Sequence, residues 1–201
     1  MKLLIILITT LTFTSLAISA TEEISKDCIN KNVPDSERAF SSTFSGTFNG
    51  KRLEYRASLK EKLLYEKDNP SAPMASFFYT EYIVESDKNR PVIFSFNGGP
   101  GSASLWLHMG VLGPKVIKVP SDASDDGSAP YKIVDNKLSP LSDADLVFID
   151  PIGTGYSRAV GCHEPEEFWG VSEDPKIIAE FIRRWINDNK RWNSPRYILG
   201  K

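Results

Sequence analysis

Cysteine, histidine and methionine are scarce in this chain, whose 201 residues hold two, two and three of them. Cys28, Cys162, His108 and His163 show no zinc-ligand spacing, and "GCHEP" around Cys162 is too small a cluster to suggest a metal. No cofactor is expected. An excess of one charge is also lacking: 24 Lys and Arg stand against 26 Asp and Glu, a formal charge of -2. A weakly acidic balance gives no reason to expect nucleic acid or an anionic membrane as partner. There is no repeat and no low-complexity tract, which excludes solenoid and disordered classes. No Gly-Lys-Ser/Thr and no G-x-G-x-x-G opening a long helix occurs, so the glycines do not serve a nucleotide.

One long apolar run is present, at the start. "MKLLIILITTLTFTSLAISA" has a single basic residue, Lys2, an apolar stretch and a close of small residues, the layout of a secretory signal peptide over residues 1–20 cut after Ala20. The run is short and "TEE" follows it in place of a basic stop-transfer cluster, so no stable membrane anchor is expected. The expected location is secreted or periplasmic. An exported chain permits a disulfide, and two cysteines allow one pairing, but Cys28 lies in a polar segment (21–42) and spacing leaves the pairing open.

From residue 43 to 201 the pattern is that of an α/β domain. Asn49-Gly50 sits between strand-like runs, the short-range signal for a tight hairpin. "KLLYEKD", "ASFFYTEYIV" and "PVIFSF" continue the series, separated by turn-rich "NPSAP" and "SDKN". "ASLWLHMG" suits a short helix ending at Gly110, "PKVIKV" and "YKIV" a small strand pair, and "DADLVFID" and "SPRYIL" two more strands. Ile178, Phe181, Ile182, Trp185 and Ile186 recur at helical spacing, with Ser172 or Asp174 to cap and Pro175 tolerated in the first turn. The expectation is a mixed sheet opened by antiparallel hairpins, with a crossover helix between buried strands.

The stretch "FNGGPGSASLW" follows the apolar run of residues 91–96 and packs three glycines and a proline into five residues. A strand ending this way directs backbone N–H groups into the space beyond its carboxyl end, where ligands of open α/β sheets bind. Such a donor can stabilise charge developing on a carbonyl oxygen during acyl transfer. The same glycines also suit a tight turn required only for packing, and Asn97 suits either a turn or a ligand carboxylate.

"PVIFSFNGGPGSASLWLHMGVLGP", "SPLSDADLVFIDPIGTGYS" and "FIRRWINDNKRWNSPRYILG", in this order, resemble the N-terminal part of the serine carboxypeptidase family (peptidase S10), secreted α/β-hydrolases that release C-terminal residues from peptides. The likeness covers roughly residues 40 to 200 and is closer to the bacterial members. It implies an incomplete α/β-hydrolase fold and, as partner, a peptide with a free C-terminus. It further implies that Asn97 holds the substrate carboxylate with Gly98 beside it, and that the Gly99 N–H forms one half of an oxyanion hole. Ser95 and Ser102 stand where the family often has Trp and Cys, so a tryptophan wall and a disulfide at Ser102 are not implied.

The family places its nucleophile in Gly-Glu-Ser-Tyr-Gly after the strand that "RYIL" resembles, whereas the sequence reads "YILGK" and stops at Lys201. No catalytic residue is therefore assigned, and the 201 residues are expected to be an inactive fragment of an enzyme family. Ser157 in "GYSRA" imitates a nucleophile elbow without the strand, turn and helix in immediate succession that an elbow needs. His108 and His163 read as packing or surface residues rather than bases. The alternatives are a secreted, non-catalytic binding domain that keeps an anion-binding loop, and an acyltransferase on the same fold.

Overall fold

The first hairpin follows directly from its turn. In the computed structural model, which describes residues 28, 30–85, 89–98, 101–119 and 129–200, strands β1 (Ala39–Phe48) and β2 (Lys51–Tyr65) pair antiparallel with Phe48 opposite Lys51. Asn49 and Gly50 bridge them at φ 46° and 78°, the two left-handed residues that a two-residue hairpin matching strand twist requires. β2 runs unbroken through 15 residues, where two runs are legible in the sequence. Its charged middle is tolerated because the partners lie on neighbouring strands. Glu61 is buried, accepts from Arg38 Nε at 2.8 Å and takes the Ser76 hydroxyl at 2.5 Å, while Lys60 reaches the buried Glu81 at 2.6 Å.

β3 (Pro73–Ile83) is largely buried on both faces and joins the hairpin to the centre of the sheet. Beyond it lie β4 (Val92–Phe96), a helical turn at Leu105–Leu107 continued by a wider turn over His108–Leu112, and the small antiparallel pair β5 (Lys115–Ile117) and β6 (Ile133–Asp135). They are followed by β7 (Asp145–Ile149), β8 (Arg158–Ala159), helix α1 (Glu173–Asp188) and β9 (Arg196–Gly200). The main sheet has the order β1-β2-β3-β7-β4-β9, with β8 against β3. β7 is antiparallel to β3, whereas β7, β4 and β9 are mutually parallel. This is a mixed α/β sheet opened by antiparallel hairpins, as the sequence predicts, and it fits part of an α/β-hydrolase fold. The anticipated helix over "ASLWLHMG" is reduced to one α-helical turn that widens at His108 and runs past Gly110.

α1 covers one face of the sheet. Phe181 packs on Phe77 and Tyr79 with ring centroids 5.2 and 5.0 Å apart, and Trp185 meets Phe94 at 5.2 Å while its indole N–H donates to Glu81 at 2.9 Å. Each such buried aromatic contributes about 1.5–3 kcal/mol. The opposite face gathers Phe48, Tyr55, Tyr82, Leu107, Leu141, Leu146 and Phe148.

Cys28 and Cys162 form a disulfide with Cα atoms 4.8 Å apart, which settles the pairing that spacing left open. It ties the N-terminal segment to the loop after β8, where the Gly161 N–H also donates to the Lys31 carbonyl at 2.8 Å. The expected signal peptide lies outside the described residues. Among the described residues, no helix is long and apolar enough to cross a membrane.

Candidate functional site

Two loops leave the carboxyl ends of neighbouring parallel strands, one from β4 at Asn97 and one from β7 at Asp150. The buried Ser104 joins them. The Ser104 hydroxyl accepts the Asn97 backbone N–H at 3.2 Å and donates to the Ile149 carbonyl in a short hydrogen bond, and the Ser104 N–H donates to Asp150 Oδ1 at 2.8 Å. Burial pushes the Asp150 carboxyl above its ordinary value, and the Ser104 N–H partly offsets this.

Asn97 is buried, with 8% of its surface exposed. Its Nδ2 donates to the Gly98 carbonyl at 3.3 Å, a long bond, and its Oδ1 has no partner among the described residues. A buried amide satisfied at one end is held ready for something else. Two residues back, the buried Ser95 hydroxyl of β4 likewise has no partner among the described residues. Gly98 supplies its carbonyl to Asn97. Gly99, the expected oxyanion donor, lies outside the described residues. Gly101 takes φ 95°, a conformation that a side chain there would strain.

On the β7 side the chain turns back through Gly153 and Gly155, at φ 87° and 51°. A Cβ on Gly155 would collide with the Asp150 carboxylate, so glycine is required where that carboxylate folds over the loop. Trp106 and Tyr156, one on each loop, are largely exposed. β9 pairs with β4 through Gly200 opposite Phe96, so it reaches the same end of the sheet next to Asn97.

The serine and histidines weighed in the sequence are committed elsewhere. Ser157 is fully buried and its hydroxyl accepts the Phe78 N–H at 2.8 Å, a structural bond that ties the loop after β7 to β3. His108 is hydrogen-bonded to the Tyr82 hydroxyl at 2.6 Å and stacks on Phe148 at 4.6 Å; burial lowers its pKa to about 4. His163 lies between Glu167 at 2.8 Å and Glu66 at 3.0 Å; burial opposes its charge, but the two carboxylates outweigh it and raise the pKa. Among the described residues, no three His, Cys, Asp or Glu side chains gather as a metal would need. A cavity of about 630 Å³ lies against α1, lined by Tyr65, Met74 and Glu180 among others, but no residue of the two loops borders it, and its two arginines are already bonded to Glu180.

The serine carboxypeptidase family (peptidase S10) matches residues 59–201. The chain belongs to this family. Among curated proteins it is similar to serine carboxypeptidase-like 9 of Arabidopsis thaliana, 32% identical over 129 residues that cover 62% of this chain and 28% of that protein. It is also similar to serine carboxypeptidase-like 2 and 12 of the same plant, each 30% identical over 126 residues, covering 59% of this chain and 27% of each relative. The chain thus spans little more than a quarter of the length of these relatives. They are plant proteins, and the closer likeness to bacterial members expected from the sequence finds no support in them.

Ser104 and Asp150 were not singled out by sequence reasoning, although both fall inside the motif blocks that carry the resemblance. Their signal was the short polar residue seven positions after Asn97 and the acidic residue closing "LVFID". Neither has meaning until β4 and β7 are side by side.

Proposed function

We propose that this chain carries the substrate-carboxylate and oxyanion half of a serine-type carboxypeptidase site, acting on peptides with a free C-terminus. The observation that carries the reading is the buried Asn97 amide, satisfied at one end only, at the carboxyl end of β4 and next to the end of β9. Rotation about its terminal bond turns Nδ2 from the long Gly98 contact toward a carboxylate, exchanging a weak neutral bond for a charge-assisted one. The Gly99 N–H supplies one oxyanion donor, and Gly98 leaves the approach clear of side chains. Export to a secreted or periplasmic location is part of the proposal; the Cys28–Cys162 disulfide, which persists in oxidising compartments, supports it.

The 201 residues by themselves do not turn over peptide in this reading, because Ser157 is locked in the fold and both histidines are engaged elsewhere, His108 with Tyr82 and His163 with Glu167 and Glu66. Hydrolysis needs an activated nucleophile, and without one only the slower catalysis of binding and the oxyanion hole remains. The test has two arms. Turnover of a blocked dipeptide by the 201-residue chain, sensitive to a serine-directed inhibitor, would overturn the inactive reading. In a longer family member joined to this sequence, Asn97→Ala should raise KM for free-carboxylate peptides far more than for amidated ones. Equal losses on both would remove Asn97 from carboxylate recognition. Binding of free-C-terminus peptides with no turnover in that longer protein would favour a non-catalytic binding domain.

A further inference from the structure

Among the described residues the outer edge of β1 is unpaired in the sheet order, and its direction can be read from one bond. The Glu61 N–H donates to the Arg38 carbonyl at 2.8 Å, and the register runs from Ala39 opposite Lys60 to Phe48 opposite Lys51 without a bulge. Residue 38 and the even positions after it therefore bond to β2. The odd positions, Ala39, Ser41, Thr43, Ser45 and Thr47, direct N–H and C=O groups outward. Sheet edges are ordinarily guarded by charge, proline, a bulge or shortness. β1 spans ten residues with no Lys, Arg, Asp, Glu or Pro, while the other edge, β9, has five and begins with Arg196 directly after Pro195.

We propose that β1 is a self-pairing edge through which two copies of this chain associate antiparallel, with Ser42 on the two-fold axis. Three features select a second copy in this register. Phe40 and Phe44 are 67% and 47% exposed on one face of the strand, and centring on Ser42 sets Phe40 of each copy opposite Phe44 of the other. These even positions form the non-hydrogen-bonded pairs of the new ladder, where side chains lie closest and aromatic pairs gain most. The hydrogen-bonded pairs are then Ser41 with Thr43 and Ala39 with Ser45, all outward-facing. The flanking charges are also compatible, since Arg38 falls opposite Gly46 and Glu37 opposite Thr47, so like charges do not meet. Pairing of β1 with β9 of another copy would instead leave one of each edge open and propagate.

The test uses the whole chain with its native disulfide. Sedimentation equilibrium should show a concentration-dependent dimer. Under mild oxidation Ser42→Cys should give a covalent dimer, because a residue on the axis faces itself at a disulfide-compatible distance. Phe44→Cys should not, since it faces Phe40. Thr43→Pro removes an outward N–H that β2 does not use, and should preserve the circular dichroism spectrum while weakening the dimer at least about tenfold. If that variant does not fold, Ser42→Lys, which sets two ammonium groups across the axis, should weaken it in the same way. A monomer up to about 100 µM with no Ser42→Cys cross-link, faster cross-linking by Phe44→Cys, or open-ended assemblies would each overturn the proposal.

Discussion

β7 begins with one aspartate and is followed by another, and the two ends of the strand treat them in opposite ways. At the amino end Asp145 is fully buried and accepts from the Val84 N–H at 3.0 Å, Arg191 at 2.8 Å and Arg90 at 3.2 Å. The arginines are satisfied in turn: Arg191 reaches the Ser194 hydroxyl and the Arg90 carbonyl, and Arg90 reaches the Leu141 carbonyl. At the carboxyl end Asp150 takes the Ser104 N–H, its acidity is weakened by burial, and Asn97 Oδ1, just past the adjacent strand, has no partner among the described residues. One end spends its polar groups on holding strands and α1 together. The other leaves some unmet, as expected where a fold keeps a site for a ligand.

The comparison breaks most visibly if the amino end is cut. Asp145→Ala leaves the buried Arg191 guanidinium and the partly buried Arg90 guanidinium unmatched and should cost about 3–5 kcal/mol, read from urea unfolding by tryptophan fluorescence. A loss below about 1 kcal/mol would mean that the cluster is already solvated.

Acid should act on the other end first. His108 sits on the loop that leaves β4, and burial holds its pKa at about 4. A depressed histidine adds stability that is complete above its unfolded pKa near 6.5 and is lost as pH falls toward 4, here about 3 kcal/mol. Unfolding at stepped pH, compared between the natural chain and His108→Gln, should show that dependence flattened in the variant.

Ser104→Ala removes the hydroxyl between the two loops and leaves the Asn97 N–H and the Ile149 carbonyl each short of a partner. The expected loss is about 1–3 kcal/mol, accompanied by faster hydrogen exchange at the Asn97 amide. Asn97→Ala should be the mildest, within about 0.5 kcal/mol of the natural chain, because the amide makes one long bond and its removal relieves an unmet buried oxygen. A loss above about 2 kcal/mol in thermal unfolding would make Asn97 a structural residue and erase the contrast between the two ends.

Much of this was legible in the residues because it depends on near neighbours. Asn49-Gly50 requires a left-handed turn, and Phe181 and Trp185 share a helix face through a period of 3.6. β2 was harder, since "RASLKEK" reads as a polar break until Glu61 meets Arg38 and Ser76, and Lys60 meets Glu81, across the strands. Cys28 and Cys162 lie 134 positions apart, a separation that carries no information about distance in space. Asn97 stood out by its glycines, whereas Ser104 and Asp150 looked like ordinary loop residues.

What the sequence by itself determined is local: strand and helix periods, the hairpin turn, and a glycine-rich exit from a buried strand, all governed by backbone sterics and the alternation of apolar residues. The tertiary structure alone decided that β7 inserts between β3 and β4. That insertion turns Asp145 into the hub of two arginines and brings Ser104 against both loops. It arises because parallel strands pair with partners distant in the chain, chosen by which apolar faces can be buried together, and no short-range pattern encodes that choice.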